Sequence, residues 1–356
     1  MTSVLFTGYA PVHYACFRPL HLALEEMPGV EVHVAGGNRS RVGEEGEYVY
    51  DSEGMYGPFG VRAEQILGVD EIAERDFDAL VCANTTAIPP RSARRTVEIF
   101  HGVSFRNLAV REENAGKDAY FLLGPYMRRA FAERDLLPDD DPRAVSVGFP
   151  KTDRLLDGSL DRAEILAGEQ LSGERPVVLY APTGARHNSL ETMGEVLPLL
   201  KASGAFDVLV KLHDHPKNPI DWRGHLRHLE DEHFRVSRDP DVIRSLFAAD
   251  VLLSDASSVS NEYTLLDRPM VYLDVPELLA AARARTGSAL DLQTWGRRGG
   301  ALVTEASEVV DAVADELEHP ERRSEIRRDI AADLFYNPGR ATEAAVGWLR
   351  EELALA

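Results

Sequence analysis

Short apolar runs separated by amphipathic stretches recur along the whole of this 356-residue chain, and no other feature restricts its fold so strongly. In the first half the runs are SVLFTGY, VEVHVAGG, DALVCAN, VEIFHG, AYFLLG and AVSVGFP. In the second half they are PVVLYAPT, FDVLVKLH, FRVS, DVLLSD and PMVYLD. Segments of helical period lie between them: FRPLHLALEEM, YMRRAFAERDLL, LETMGEVLPLLKASG, DPDVIRSLFAA and SSVSNEYTLL. A strand that is apolar at nearly every position is buried on both faces. Alternated with helices, such strands form parallel sheets covered on both sides. The strands are too many for one ordinary doubly wound sheet, so the pattern predicts an α/β protein of two such domains. The charged, strandless DRAEILAGEQLSGERP marks the seam, giving domains at 1–155 and 156–330. A helical tail follows over 331–356, broken at Asn337–Pro338–Gly339.

A net charge of −20, from 39 Lys and Arg against 59 Asp and Glu, excludes a general nucleic-acid binder, which needs clustered cations. Cys16 and Cys82 sit in apolar surroundings and read as buried free thiols, which suits a reducing cytoplasm. The opening MTSVLFTGYAPVHYACF has no basic leader region and breaks at a Gly-Tyr-Ala-Pro turn, so it reads as a strand rather than a signal peptide. No apolar run approaches the ~20 residues of a transmembrane helix. The expectation is a cytoplasmic protein with at most peripheral contact at the inner face of the membrane, because so acidic a chain is repelled by anionic lipid.

In open α/β sheets ligands bind beyond the carboxyl ends of strands. DVLLSDASSVSNEY sets Asp255, Ser257 and Ser258 at such an end, with a helix predicted to start at once. One serine suffices to cap a helix, and two hydroxyls beside free helix amides suit a diphosphate. In VLVKLHDHP, Lys211 and His213 fall on one face near the end of another strand, placed to contact phosphate. His213 and His215 lack a third ligand at familiar spacing, so no metal site and no cofactor is expected. LYAPTGARHN ends a third strand with Thr183, Gly184 and Arg186, a loop suited to a nucleotide. In the first half, VEIFHGVSF ends a strand with His101 and Gly102. The glycine allows a sharp turn, and the histidine is of the type used as a general base near neutral pH.

The phrases FHG, GFPKTDRLL, LYAPT, KLH and LLSDASSVSNEYTLLDRPMVYLD, in that order, resemble the CDP-glycerol glycerophosphotransferase family of teichoic-acid-type polymer synthesis. Its corresponding phrases read like WHGT, GYPRND, YAPTWR, KLHP and DYSSVMFDFALLDRPVIFY, and the likeness runs from about residue 97 to 275. The resemblance implies a GT-B fold: two Rossmann-like domains facing across a cleft, acceptor-side first and donor-binding second, with the C-terminal helix crossing back. It implies metal-independent transfer of glycerol phosphate, or a related alditol phosphate, from a CDP-activated donor to a hydroxyl of a glycan or lipid-linked acceptor, with release of CMP. His101 then matches the candidate base, and His213, Ser257 and Ser258 match groups at the donor diphosphate. Glu262 falls where the family has aspartate. Phe100, Val103, Asp214 and Ala256 depart from its pattern, and Arg186 stands one residue from its arginine. A GT-B glycosyltransferase, a UDP-sugar 2-epimerase and a non-catalytic nucleotide-sugar-binding protein are the competing readings, and homo-oligomerisation is left open.

Overall fold

The computed structural model describes residues 1–41, 48–83, 88–102, 116–213, 220–286 and 297–355. These residues form two compact units, the first from residues 1–102, 116–153 and 333–355, the second from 154–332.

The strands of the first unit are β1 (Thr2–Gly8), β2 (Val30–Gly36), β3 (Asn38–Arg41), β4 (Tyr48–Asp51), β5 (Ile66–Leu67), β6 (Asp76–Ala83), β7 (Ser92–Ile99), β8 (Ala119–Leu122) and β9 (Ala144–Ser146). Seven of them make one sheet in the order β5-β2-β1-β6-β7-β8-β9, and every neighbouring pair is parallel. Alternation decides the packing. Val4 and Phe6 enter a cluster with Tyr14, Phe17, Leu20 and Leu24 of the helix Pro11–Glu25, while Leu5 joins Ala35, Leu80 and Cys82 on the other face. Both cysteines are buried free thiols. The helix Ala341–Leu353 adds Ala345, Leu349 and Leu353 to the first cluster. Its start is held by Asp153, whose carboxylate accepts hydrogen bonds from the N–H groups of Ala341 and Thr342 at 3.0 and 2.7 Å.

The second unit contributes β10 (Val177–Ala181), β11 (Asp207–Val210), β12 (Phe234–Val236), β13 (Val251–Ser254), β14 (Met270–Leu273) and β15 (Ala301–Val303). They form a parallel sheet in the order β12-β11-β10-β13-β14-β15. Val178, Tyr180 and Leu253 pack on one face, Leu179, Leu252 and Tyr272 on the other. In each unit the strand order reverses direction once, between β1 and β6 and between β10 and β13. That reversal opens a crevice at the carboxyl ends where ligands bind in such sheets.

Four features differ from the sequence expectation. β3 and β4 form an antiparallel hairpin, and β5 and β15 extend the two sheets by short edge strands. LETMGEVLPLLKASG breaks into two helices, Ser189–Thr192 and Val196–Ser203. The helix after the paired serines is only Val259–Tyr263, continued by a 3-10 turn at Thr264–Leu266.

Candidate active site

In the second unit, the carboxyl ends of β10 and β13 are joined by one carboxylate. Asp255 is fully buried. Its Oδ1 accepts from the Thr183 N–H at 2.8 Å, the Thr183 hydroxyl at 2.6 Å and the Ala256 N–H at 2.7 Å. Its Oδ2 accepts from the Ser189 N–H and hydroxyl at 3.0 and 2.9 Å. A buried carboxylate with five donors is fully solvated by the protein, and it fixes the loop after β10 to the turn after β13.

Two residues beyond that turn stand Ser257, 7% exposed, and Ser258. Ser258 occupies the position before the helix Val259–Tyr263, yet its side chain makes no capping hydrogen bond. The Ser257 carbonyl accepts from the Ser260 hydroxyl at 2.7 Å. Among the described residues neither serine hydroxyl is hydrogen-bonded to the protein. The capping role is therefore unfilled, and a helix of five residues brings only a small dipole. What the turn offers is two adjacent hydroxyl donors.

Lys211 and His213 follow the end of β11. The Lys211 N–H donates to the Tyr180 carbonyl at 2.9 Å, and the residue is 9% exposed. His213 lies against Gly184, where a Cβ would stand 2.7 Å from the imidazole. The glycine is thus needed for contact with the ring, an approach that any side chain prevents. Thr183, Gly184 and His213 line one cavity of about 240 Å³ with Asn188, Trp222 and Arg223. Arg186, on the same loop, is exposed and forms no ion pair among the described residues. Glu262 is buried, 2% exposed, within the short helix. His215 lies outside the described residues. Among those described, no cluster of His, Cys, Asp or Glu is arranged to hold a metal ion.

In the first unit His101 follows β7 after the buried Phe100, and Gly102 takes a positive φ of 148°. The sequence reading did not single out the neighbours of His101. The ring of His13, in the first turn of the helix Pro11–Glu25, lies 5.3 Å from that of His101. The Tyr9 N–H donates to His13 Nδ1 at 3.1 Å, which places the proton of the neutral ring on Nε2. Burial, with His101 and Arg39 adding to it, holds the His13 pKa well below the ordinary histidine value. Tyr9 meets His13 edge-on at 4.4 Å, and the Arg39 guanidinium lies 3.9 Å from the centre of the Tyr9 ring and 4.3 Å from that of Tyr48. The visible signals were the glycines. Gly8 ends β1 without a Cβ, and a Cβ there would stand 2.7 Å from that of His13. Gly36 ends β2 and Gly37 follows it, at φ of +94° and +121°.

A profile of the family described as CDP-Glycerol:Poly(glycerophosphate) glycerophosphotransferase matches residues 84–347. The teichoic acid poly(glycerol phosphate) polymerase of Staphylococcus epidermidis is 28% identical over 145 residues, 37% of this chain and 19% of that protein. The teichoic acid glycerol-phosphate primase of Bacillus spizizenii is 24% identical over 220 residues, 58% of this chain and 51% of that protein. The chain therefore spans about half, or less, of the length of these curated relatives. The solved wall teichoic acid polymerase TagF superposes with a TM-score of 0.69 at 14% identity, covering 99% of this chain and 89% of that one. A histidine-to-asparagine variant of that polymerase has been solved after soaking with CDPG. The UDP-GlcNAc 2-epimerase of Neisseria meningitidis, solved with UDP-GlcNAc, superposes with a TM-score of 0.57 at 15% identity, covering 98% and 100% of the two chains. The fold is of the GT-B type, mixed α/β with parallel sheets.

Proposed function

The chain belongs to the CDP-glycerol:poly(glycerophosphate) glycerophosphotransferase family, and from that premise we propose that it transfers glycerol phosphate from CDP-glycerol to an acceptor hydroxyl with release of CMP. The observation that carries this reading is the pair of uncommitted hydroxyls on Ser257 and Ser258 beside the Thr183–Asp255 junction. The CDPG soaked into the TagF variant supports the choice of donor.

In this reading the second unit is the donor domain. Ser257 and Ser258 donate to the diphosphate, and His213, Lys211 and Arg186 offset its charge. Thr183 and Glu262 lie on the nucleotide side. Asp255 acts through Thr183, because its own oxygens are already filled. Gly184 makes room for His213. The first unit is the acceptor domain, where His101 removes the proton of the attacking hydroxyl and Gly102 sets the turn that carries it. The acceptor oxygen forms a bond to the glycerol-bearing phosphorus as the phosphoanhydride bond breaks, and the electron pair leaves with CMP. The proton ends on His101. Such transfers depend mainly on positioning and on stabilising charge at the transferring group.

Among the described residues no helix is long and apolar enough to cross a membrane. The reading places the reaction in the cytoplasm, with at most peripheral contact at the inner membrane face, since the charge of −20 opposes docking on anionic lipid. The acceptor is a glycan or a lipid-linked precursor.

The test is thermal unfolding with CDP-glycerol, CDP-ribitol and UDP-GlcNAc, followed by CMP release with the donor that binds. A CDP-alditol at ~100 times its Kd adds about 2.7 kcal/mol of stability. His101→Ala lowers CMP release about 10²–10⁴-fold and keeps the donor-induced stabilisation. Stabilisation by UDP-GlcNAc alone overturns the reading in favour of an epimerase or glycosyltransferase. Undiminished transfer by His101→Ala removes the base.

A further inference from the structure

In the first unit a row of side chains, Tyr48, Arg39, Tyr9 and His13, ends against His101. The rings of His13 and His101 lie 5.3 Å apart, centre to centre, with their planes inclined at 52°. We infer that His13 is a positioning residue for His101: an immobilised ring whose contact fixes the plane of the imidazole that takes the acceptor proton. This role rests on the glycerophosphotransferase reading and adds to it a residue outside the stretch 84–347 that the family profile matches.

Three observations carry it. First, the His13 ring is itself held. The residue is 3% exposed and is the third of the helix Pro11–Glu25, whose start is set by Pro11 and by the His13 N–H donating to the Ala10 carbonyl at 2.9 Å. The Tyr9 N–H donates to its Nδ1 at 3.1 Å, and the Tyr9 ring meets it edge-on at 4.4 Å. Packing and a hydrogen bond of this kind lock a supporting side chain in one rotamer. Second, two glycines keep the place of this ring. A Cβ at Gly8 would stand 2.7 Å from the His13 Cβ and 3.5 Å from Nδ1, so a side chain there drives the ring away. The Gly8 carbonyl accepts from the Gly37 N–H at 2.9 Å, and Gly37 has a φ of +121°, which glycine adopts without strain. Support thus passes from the end of β2 to the end of β1, from there to His13, and from His13 to His101. Third, His13 is suited to backing a base rather than to being one. Burial first, then His101 and Arg39, hold its pKa well below the ordinary histidine value. It stays neutral near neutral pH, takes up no proton itself and leaves the positive charge of the reaction to its neighbour. His101 needs such backing, because it sits in a turn with Gly102 at a φ of 148°, and a misplacement of about 1 Å at a transfer site costs ~10²-fold.

A double-mutant cycle on CMP release tests this, with CDP-glycerol as donor and synthetic tri(glycerol phosphate) as the acceptor probe. His13→Asn keeps an oxygen to accept from the Tyr9 N–H and removes the part of the ring that meets His101. It should lower kcat about 10- to 100-fold and leave the KM for CDP-glycerol unchanged. His13→Phe returns a ring to the contact and should recover most of that loss. In the His101→Ala background His13→Asn should cost nothing further, because a residue that acts through another has no effect once the other is gone. If neither His13 variant folds, Gly8→Ala, which displaces the ring by one methyl group, takes the place of His13→Asn in the same cycle with the same expectation. Losses from His13→Asn and His101→Ala that multiply overturn the proposal. So does a His13→Asn protein of full speed or raised KM, or a His13→Phe protein no faster than His13→Asn. Failure of the underlying reading looks different: CDP-glycerol then gives the wild type no thermal stabilisation, or His101→Ala releases CMP undiminished. Multiplying losses around a working His101 sink the role of His13 alone.

Discussion

Thr183 donates twice to one oxygen of Asp255, from its N–H at 2.8 Å and its hydroxyl at 2.6 Å, while Ser189 donates twice to the other oxygen. One carboxylate thereby ties the loop after β10 to the turn that presents the paired serines. It is an organiser of the candidate site.

Asp255→Asn is expected to test that role. The amide replaces an acceptor with a donor facing either the Thr183 or the Ser189 pair, leaving buried donors unsatisfied. The loss should be about 3 kcal/mol, read as a lower urea midpoint with an unchanged slope. A midpoint equal to that of the wild type removes Asp255 as the junction.

The paired serines should behave in the opposite way. Their hydroxyls have no partner among the described residues, so Ser257→Ala with Ser258→Ala should change stability by less than about 0.5 kcal/mol. Affinity for CDP-glycerol should fall about 10- to 100-fold as two donors to a charged group disappear. Unaltered donor affinity in the double variant dismisses the serines from the site.

Gly184→Ala tests placement of His213. The new Cβ meets the imidazole at 2.7 Å and must displace it. Turnover should drop at least about 10-fold, since small misplacements at a transfer site are costly. Far-ultraviolet circular dichroism should match the wild type. Normal turnover shows that the position of His213 is unimportant.

A pH effect on stability follows from His21. Its ring nitrogens lie 3.3 Å from the Tyr14 hydroxyl and the Gln65 side-chain amide, and burial lowers its pKa to about 4. An unfolded chain takes up this proton near pH 6.5, the folded one only near pH 4, so the unfolded state binds more protons between those values. Stability is therefore full above pH 6.5 and falls as pH drops towards 4, by about 3 kcal/mol from this group. His21→Gln should lose correspondingly less between pH 7 and pH 4 in urea titrations. Identical losses for variant and wild type exclude His21 as the source.

The strands most legible in the sequence were those buried on both faces, such as VVLYA and VLLS, because neither face tolerates polar residues. The hairpin β3–β4 escaped notice for the converse reason. NRSR carries no apolar residue, and three of the four residues of YVYD are exposed. β5 has two residues and β15 three, so their existence depends on the neighbouring strand rather than on local propensity. At the site, the serine pair and the glycine beside His213 were readable because motif and turn chemistry are local. The row at His101 was not. Tyr9, His13, Arg39 and Tyr48 come from separate segments whose meeting is decided by the parallel order of β1, β2 and β7.

The chain leaves the first unit after Asp153, and the carboxylate of that residue receives the N–H groups of Ala341 and Thr342 soon after the chain returns. Exit and re-entry are stitched to each other within the first unit. In the language of gene architecture, residues 154–332 are a cassette inserted into a host whose own hydrogen bonds already bring the two cut ends together. A shortened gene that joins the host segments through a brief linker should retain the Asp153 clasp. Shuffling this cassette among related chains then exchanges the second unit without rebuilding the first.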